Sequence, residues 1–325
     1  MNRYARFALL AFALAAAAIA PYASAQQYPD KPVRVILPWP PGGLVDIAGR
    51  IVGARLQSAL GQPFLIENKA GAGGVIGADQ VAKAAPDGYT ILLTTSALNM
   101  NAALKSSLPF DVSKDFDPIT AVAYAPSILV VSHSLGVKSV KDLIALAKAK
   151  PRILNYASAG VGTPAHLSAE LLKSMLGLDI VHVPYKGAPP AMTAQIAGEV
   201  DFHFANAAVA LPQIKAGKVY ALAVTSAKRF AALPDVPTMA EAGVPNFEAD
   251  QWIGFLAPHG TPRAIVERLA AEVNKILAVK EVGDGLARSG MSTAAFATTA
   301  EFGAYLKQDL AKWAGVVKAA HIQPD

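Results

Sequence analysis

The sequence predicts an α/β protein of two domains with a hinge between them, and three observations carry that expectation. Short apolar runs rich in β-branched residues alternate with helical patterns along the chain. Beyond an exported-looking N-terminus about 300 of the 325 residues remain, enough for two domains of ordinary size. A long extended apolar run, Ala121 to Val131, then opens a second unit of the same kind.

The elements follow in order. Val33 to Leu37 reads as a strand and Ile47 to Leu60 as a helix. Phe64 to Glu67 is the next strand, followed by a glycine loop and a helix from Val75 to Ala84. The turn "PDG" at Pro86 to Gly88 announces a third strand, Thr90 to Thr94. Near-continuous apolar strands between helices indicate a parallel sheet covered on both faces. In the second unit Ser139 to Lys150 is a helix whose "SVKD" start resembles a capping box. Strands are expected at Ile153 to Ala157, Ile180 to Val183, Val200 to Phe204 and Val219 to Thr225. After "LPDVPT" come a strand at Trp252 to Ala257 and helices at Pro262 to Ala278 and Ala300 to Ala320. This layout gives a first domain of residues 26–122 and 226–325 and an inserted second domain of residues 123–225. Crossings near Ala123 and Thr225 would form the hinge, with strand-end loops of both sheets facing one cleft.

Residues 1–25 read as a secretory signal peptide. Arg3 and Arg6 are its basic region, Phe7 to Ala20 its apolar stretch, and Ala23-Ser24-Ala25 its cleavage pattern, with cleavage expected after Ala25. A retained anchor is the alternative, although the apolar run is short for a spanning helix. Cysteine is absent, so neither disulfides nor a lipid-bearing thiol are available. Subtracting Arg3 and Arg6 from the net charge of +5 leaves +3, scattered without a basic run, which argues against nucleic acid as a partner.

Four loops after strand candidates are rich in glycine or hydroxyl residues: "PWPPGGLVD", "NKAGAGGVIGAD", "TTSALN" and "SAGVGTPAHL". Each runs into a helix N-terminus, whose unpaired N–H groups and dipole suit an anion. Glycines that merely make turns are the plainer account of any one loop. Gly71, Gly73 and Gly77 miss the dinucleotide spacing by one residue, and no Lys-Ser/Thr pair follows a glycine loop. The six histidines fall into no metal spacing and no GxSxG elbow occurs, so no metal, cofactor or catalytic residue is expected. Ser158 and His166 share one segment, but no acid is nominated to complete a hydrolase. His166 is read instead as a ligand contact or a helix-to-loop hydrogen-bond donor.

The blocks "YPDKPVRVILPWPPGGLVD", "GQPFLIENKAGAGGVIGAD", "ILNYASAGVGTPAHL", "VHVPYKG", "LPDVPTMAEAG" and "KWAGVVKAAHIQPD" occur in that order. Together they resemble the extracytoplasmic solute receptors of tripartite tricarboxylate transporters, the Bug-type proteins, over essentially the whole chain after the signal. The resemblance implies a type II-like periplasmic binding-protein fold with two mixed sheets flanked by helices. It also implies a monomer that closes on a small carboxylate and delivers it to membrane permease subunits. A periplasmic sensor presenting the same ligand to a signalling receptor is the alternative, and a hydrolase a more distant one.

Carried over by position, the loop bearing Trp39, Pro41, Gly42, Gly43, Leu44, Val45 and Asp46 would seat a carboxylate on backbone N–H groups. Gly73, Gly74 and Ser96 would face the cleft from the first domain. Ser158, Gly162, Thr163 and His166 would grip the ligand from the second, with Tyr185, Lys186, Ala205 and Asn206 beside it. Two departures stand out: Leu44-Val45 where relatives usually carry small or hydroxyl residues, and Ala205 where they often carry aspartate. With Trp39 and Trp252 adding aromatic surface, both point to a carboxylate with an apolar or aromatic body rather than citrate or an amino acid.

Overall fold

The computed structural model describes residues 28–104, 107–247, 249–294, 296–319 and 322, so the expected signal segment and its cleavage point lie outside the described residues. The first half-sheet is built from β1 (Val33–Leu37), α1 (Leu44–Leu60), β2 (Phe64–Asn68), α2 (Val75–Ala82), β3 (Thr90–Thr95) and α3 (Ala97–Leu104). β1 runs parallel to both β2 and β3, pairing Val35 with Ile66 and Ile91. β4 (Phe116–Ala125), β10 (Gln251–Pro258) and β11 (Ser292–Thr293) complete this sheet in the order β11-β4-β10-β3-β1-β2. β10 is antiparallel to both neighbours, which makes the sheet mixed rather than parallel. All eight residues of β10 are buried, and a strand covered on both faces is apolar whichever way it runs.

The second sheet has the order β7-β6-β8-β5-β9. Its strands are β5 (Ser127–Val131), β6 (Asn155–Ser158), β7 (Val181–Pro184), β8 (Phe202–Asn206) and β9 (Tyr220–Val224). Between them lie α4 (Val140–Ala149), α5 (Pro164–Leu176), α6 (Ala188–Ala197) and α7 (Ala207–Lys215). β6 is parallel to β7 and β8, whereas β5 is antiparallel to β8 and β9. At α4 the Ser139 hydroxyl accepts from the Asp142 N–H at 3.1 Å, the cap its sequence suggests. The α/β expectation of two mixed sheets flanked by helices is met.

The apolar run Ala121 to Val131 is two strands in different sheets. Pro126 divides them, because a residue without an N–H cannot continue a ladder. The chain therefore crosses at Pro126, three residues beyond Ala123. On the return, Thr225 N–H donates to the Ser127 carbonyl and Ser127 N–H to Thr225 Oγ1, stitching the two crossings together. Beyond Thr225 the chain stays against the second sheet, where Met239, Val244 and Phe247 join its core, and enters the first only at Gln251.

The last helices are α8 (Arg263–Leu277), α9 (Lys280–Arg288) and α10 (Thr299–Ala319). α9 escapes the sequence reading because Gly283 and Gly285 break up its apolar pattern. α10 and α3 straddle the two cores. Phe302 and Leu98 pack with the first sheet, while Trp313 and Met100 pack with the second. Between them the buried Asp309 carboxylate accepts from Trp252 Nε1 at 2.8 Å, Trp313 Nε1 at 3.0 Å and Asn99 Nδ2 at 2.9 Å.

Candidate ligand cleft

α1 begins three residues earlier than its sequence suggests. Gly43 is an extended N-cap without a side-chain cap, and Leu44 and Val45 occupy the first turn. Each is 3% exposed and packs with Ala48, Val52 and Leu56 in the first core. Their apolar character thus serves helix packing as well as the cleft. Asp46, third in the helix, reaches back to accept from Gly42 N–H at 3.1 Å and also holds Arg50 and Asn68. Desolvation alone would raise the Asp46 pKa, but the hydrogen bonds from Arg50, Gly42 and Asn68 bring it below the ordinary aspartate value. Asn68 Nδ2 donates to the Trp39 carbonyl at 2.9 Å and so pins the Pro-rich turn.

That turn borders a cavity of about 550 Å³, open solvent included. It lies beyond the carboxyl ends of β1, β3, β6, β7 and β8, where open α/β sheets place ligands. A larger groove of about 1440 Å³ runs at the opposite end of β10, beside Asp117, His259 and Arg263, away from those strand ends.

Among the described residues no Lys, Arg, Asp or Glu lines the cavity. Its polarity comes from helix starts and from the side chains of Thr95, Thr163, His203, Asn206 and Gln251. Ile47 N–H is the first of α1 to bond within the helix, to the Gly43 carbonyl, so the N–H groups of Leu44, Val45 and Asp46 have no intrahelical acceptor. α5 opposes it with Thr163 as N-cap and Pro164 next, leaving the Ala165 and His166 N–H groups in the same condition. Trp39 Nε1 is buried without a partner and adds a further donor.

The expected site residues divide. Trp39, Gly43, Leu44, Val45, Thr163 and Asn206 line the cavity. Gly73, Gly74, Tyr185 and Lys186 line an adjoining recess between the loops after β2 and β6. Pro41 and Gly42 are exposed and outside both, and Asp46 is turned to Arg50 and Asn68. Trp252 is fully buried against Phe302 and supplies no cleft surface, because β10 is central in its sheet. Ser96 is fully buried behind Thr95, whose side of the strand meets the cavity instead. Ala205 points into the core with Ile128 and Val130, as alternation from its neighbour Asn206 requires.

The Ser–His pairing also differs. Ser158 Oγ lies 2.6 Å from Nε2 of His182, not of His166, and Ser158 is fully buried. His166 stacks on His182 at 4.3 Å and accepts from Gly162 N–H at Nδ1, so it is an acceptor rather than the expected donor. Residues that sequence reasoning missed include Thr95, Ala188, Pro189, His203, Phe204 and Gln251. His203 had one signal, a polar residue in the otherwise apolar "FHFA" of β8.

Across the cleft the two rims touch. Asn101 Nδ2 donates to the Gly73 carbonyl at 3.0 Å and reaches the Gly162 carbonyl at 3.4 Å. A side chain at Gly73 would collide with the Val161 carbonyl oxygen, and one at Gly187 with Pro40.

Burial pushes His203 down to about 3. Burial, with a smaller contribution from Lys173, takes His166 down to about 4. Both stay neutral in the folded protein while the unfolded chain protonates them near 6.5. The stability they lend is complete above that value and drains away as pH falls toward 4. The slope approaches about 1.4 kcal/mol per pH unit for each histidine. Asp309, raised mainly by desolvation, acts in the opposite sense nearer the carboxylate range. Thermal melts from pH 7.5 to 5 should show a falling Tm, with a shallower fall in His166→Gln; a flat profile contradicts this account.

The chain matches the tripartite tricarboxylate transporter family receptor over residues 48–322. It is 38% identical over 320 residues to the protein BugT of Bordetella pertussis, covering 98% of each chain. It is also 41% identical over 268 residues to a protein encoded between tcbD and tcbE in Pseudomonas sp. strain P51, covering 82% of this chain and 80% of that one. Among solved structures, Rpa4515 of R. palustris, determined with adipate, superposes with a TM-score of 0.87 at 36% identity, covering 92% of this chain and 100% of that one. MatC of Rhodopseudomonas palustris, determined with bound malate, gives 0.85 at 32%, covering 89% and 100%. The chain belongs to the tripartite tricarboxylate transporter receptor family.

Proposed function

We propose that this protein is a periplasmic receptor that captures a small carboxylate by hinge closure and hands it to the membrane subunits of a permease. The observation that carries this reading is the meeting of two uncapped helix starts, α1 and α5, one from each sheet, in a cavity without charged side chains. A carboxylate placed between them gains charge-assisted hydrogen bonds of roughly 1.5–3 kcal/mol each and a helix-dipole contribution of up to about 2 kcal/mol. The adipate and malate held by two relatives support the ligand class. Trp39, Leu44, Val45 and Phe204 give the cavity an apolar wall that fits an apolar or aromatic ligand body.

The moving units in this proposal are the two sheets with their helices, and the hinge is Pro126 with the chain at Asp250. Residues 1–25 are a signal peptide cleaved after Ala25, the exported protein is monomeric, and it performs no catalysis. The test is a thermal-shift screen of the mature protein against aliphatic, hydroxy and aromatic carboxylates. A ligand bound at a hundred times its Kd stabilises by about 2.7 kcal/mol, so the Tm should rise. A panel without any shift sinks the carboxylate assignment.

Val45→Thr sets a hydroxyl at the first turn of α1. It should move the ranking toward small hydroxy-dicarboxylates and away from aromatic acids, at a stability cost of about 1–3 kcal/mol for the buried hydroxyl. Competition binding with one acid of each kind checks it; an unchanged ranking refutes the role given to Val45.

A further inference from the structure

One side chain on α3 meets both rims of the cleft. Asn101, 2% exposed, turns its amino group to three carbonyls. These are Ala97 one turn back in its own helix at 2.8 Å, Gly73 in the loop after β2 at 3.0 Å, and Gly162 in the loop after β6 at 3.4 Å. Three acceptors on one side fix which end of the carboxamide is nitrogen. The group has two N–H bonds to give, so the two shorter contacts use them and the contact to Gly162 is a stretched third. Ala97 is the partner that can be released, because a helix carbonyl also takes the main-chain N–H four residues on. An approach of the loop after β6 by about half an ångström would exchange Ala97 for Gly162 at ordinary hydrogen-bond length. No donor is left unpaired by that exchange. It requires glycine at 162, where any side chain would run into Asn101 Oδ1. Gly162 directly precedes Thr163, the N-cap of α5, so the new bond would form beside the helix start that faces α1.

We propose that Asn101 is a positioning residue for closure, a latch that ties the loop after β6 to the loop after β2 and holds the α5 start against α1 while a ligand is enclosed. This rests on the hinge-closure reading above and assigns a residue to it. A hydrogen bond made only in the closed form shifts the balance of open and closed forms by roughly two- to tenfold. The apparent affinity changes by up to the same factor. Asn101 lines neither the cavity nor the adjoining recess, so that factor is common to all ligands. The bond forms after the ligand has entered, so it slows release and leaves capture unchanged.

The experiment uses Asn101→Ser, whose hydroxyl keeps a bond to the Ala97 carbonyl but is too short to reach either rim. Nitroxide labels on Ala70→Cys and Lys186→Cys, exposed on opposite sides of the recess in a chain without other cysteines, report the rim separation by double electron–electron resonance. The ratio of short to long distances should fall about threefold or more in Asn101→Ser, with and without added acid. Stopped-flow fluorescence then follows adipate, or whichever acid of the carboxylate panel gives the largest Tm shift. Its dissociation rate should rise by about the same factor, with the association rate constant and the ranking of the panel unchanged. Asn101→Leu, which fills a similar volume without donors, decides in its place should the serine variant not fold. Wild-type distances and wild-type dissociation in a folded variant overturn the latch. A reordered panel with unchanged distances also overturns it, since Asn101 would then be a ligand contact. If no acid binds the wild-type protein, the carboxylate reading falls and the distance ratio alone decides the latch.

Discussion

Asp309→Ala is expected to lower the Tm by on the order of 10 °C. Its carboxylate is shared by Trp252 from the first core, Trp313 from the second and Asn99 from α3. Removing it strands three buried donors, at a cost of roughly 3–5 kcal/mol. Asp309→Asn keeps an acceptor oxygen and should lose distinctly less. Differential scanning calorimetry of both variants checks the order. Equal losses would mean that packing around α10, and not the shared acceptor, sets the stability of this junction.

Gly73→Asn is expected to weaken ligand binding at least tenfold while changing the Tm of the unliganded protein little. Gly73 has φ +67° and ψ 24°, a left-handed conformation that asparagine tolerates better than other side chains. The substitution therefore isolates the collision with the Val161 carbonyl across the cleft from local backbone strain. If closure is the step that completes the site, a penalty on the closed state lowers the apparent affinity by the same factor. Titration with the best acid of the panel reads it. Wild-type affinity in a folded Gly73→Asn would show that the rims need not meet.

Much of the fold was legible because buried strands announce themselves as short β-branched runs and because helix starts follow glycine loops. What the pattern could not show was direction and neighbourhood. β10 reads like a parallel strand since burial on both faces erases the alternation that would betray it. Trp39 and Trp252 are alike in sequence, yet one borders the cleft and the other is locked to Asp309 in the core. Leu44 and Val45 looked like oddities of a turn until α1 was seen to start at Leu44, which makes them first-turn core residues with one side on the cavity. Ser158 suggested a partner within its own segment. Its partner His182 comes from the neighbouring strand β7, a contact set by sheet register that spacing along the chain does not encode.

The cavity bounded by main-chain donors, without ionised side chains, has a consequence for how the protein behaves as its surroundings change. Salt weakens attraction between separated surface charges, with a Debye length of about 8 Å at physiological ionic strength. Donors in direct contact with an enclosed ligand lie inside that distance and are screened far less. The rims meet through a carboxamide, carbonyl groups and glycine, so their contact is equally free of ion pairs. Dilute and saline media should therefore present the ligand with nearly the same seat, and scavenging would depend on solute concentration more than on the ionic composition of the water that carries it.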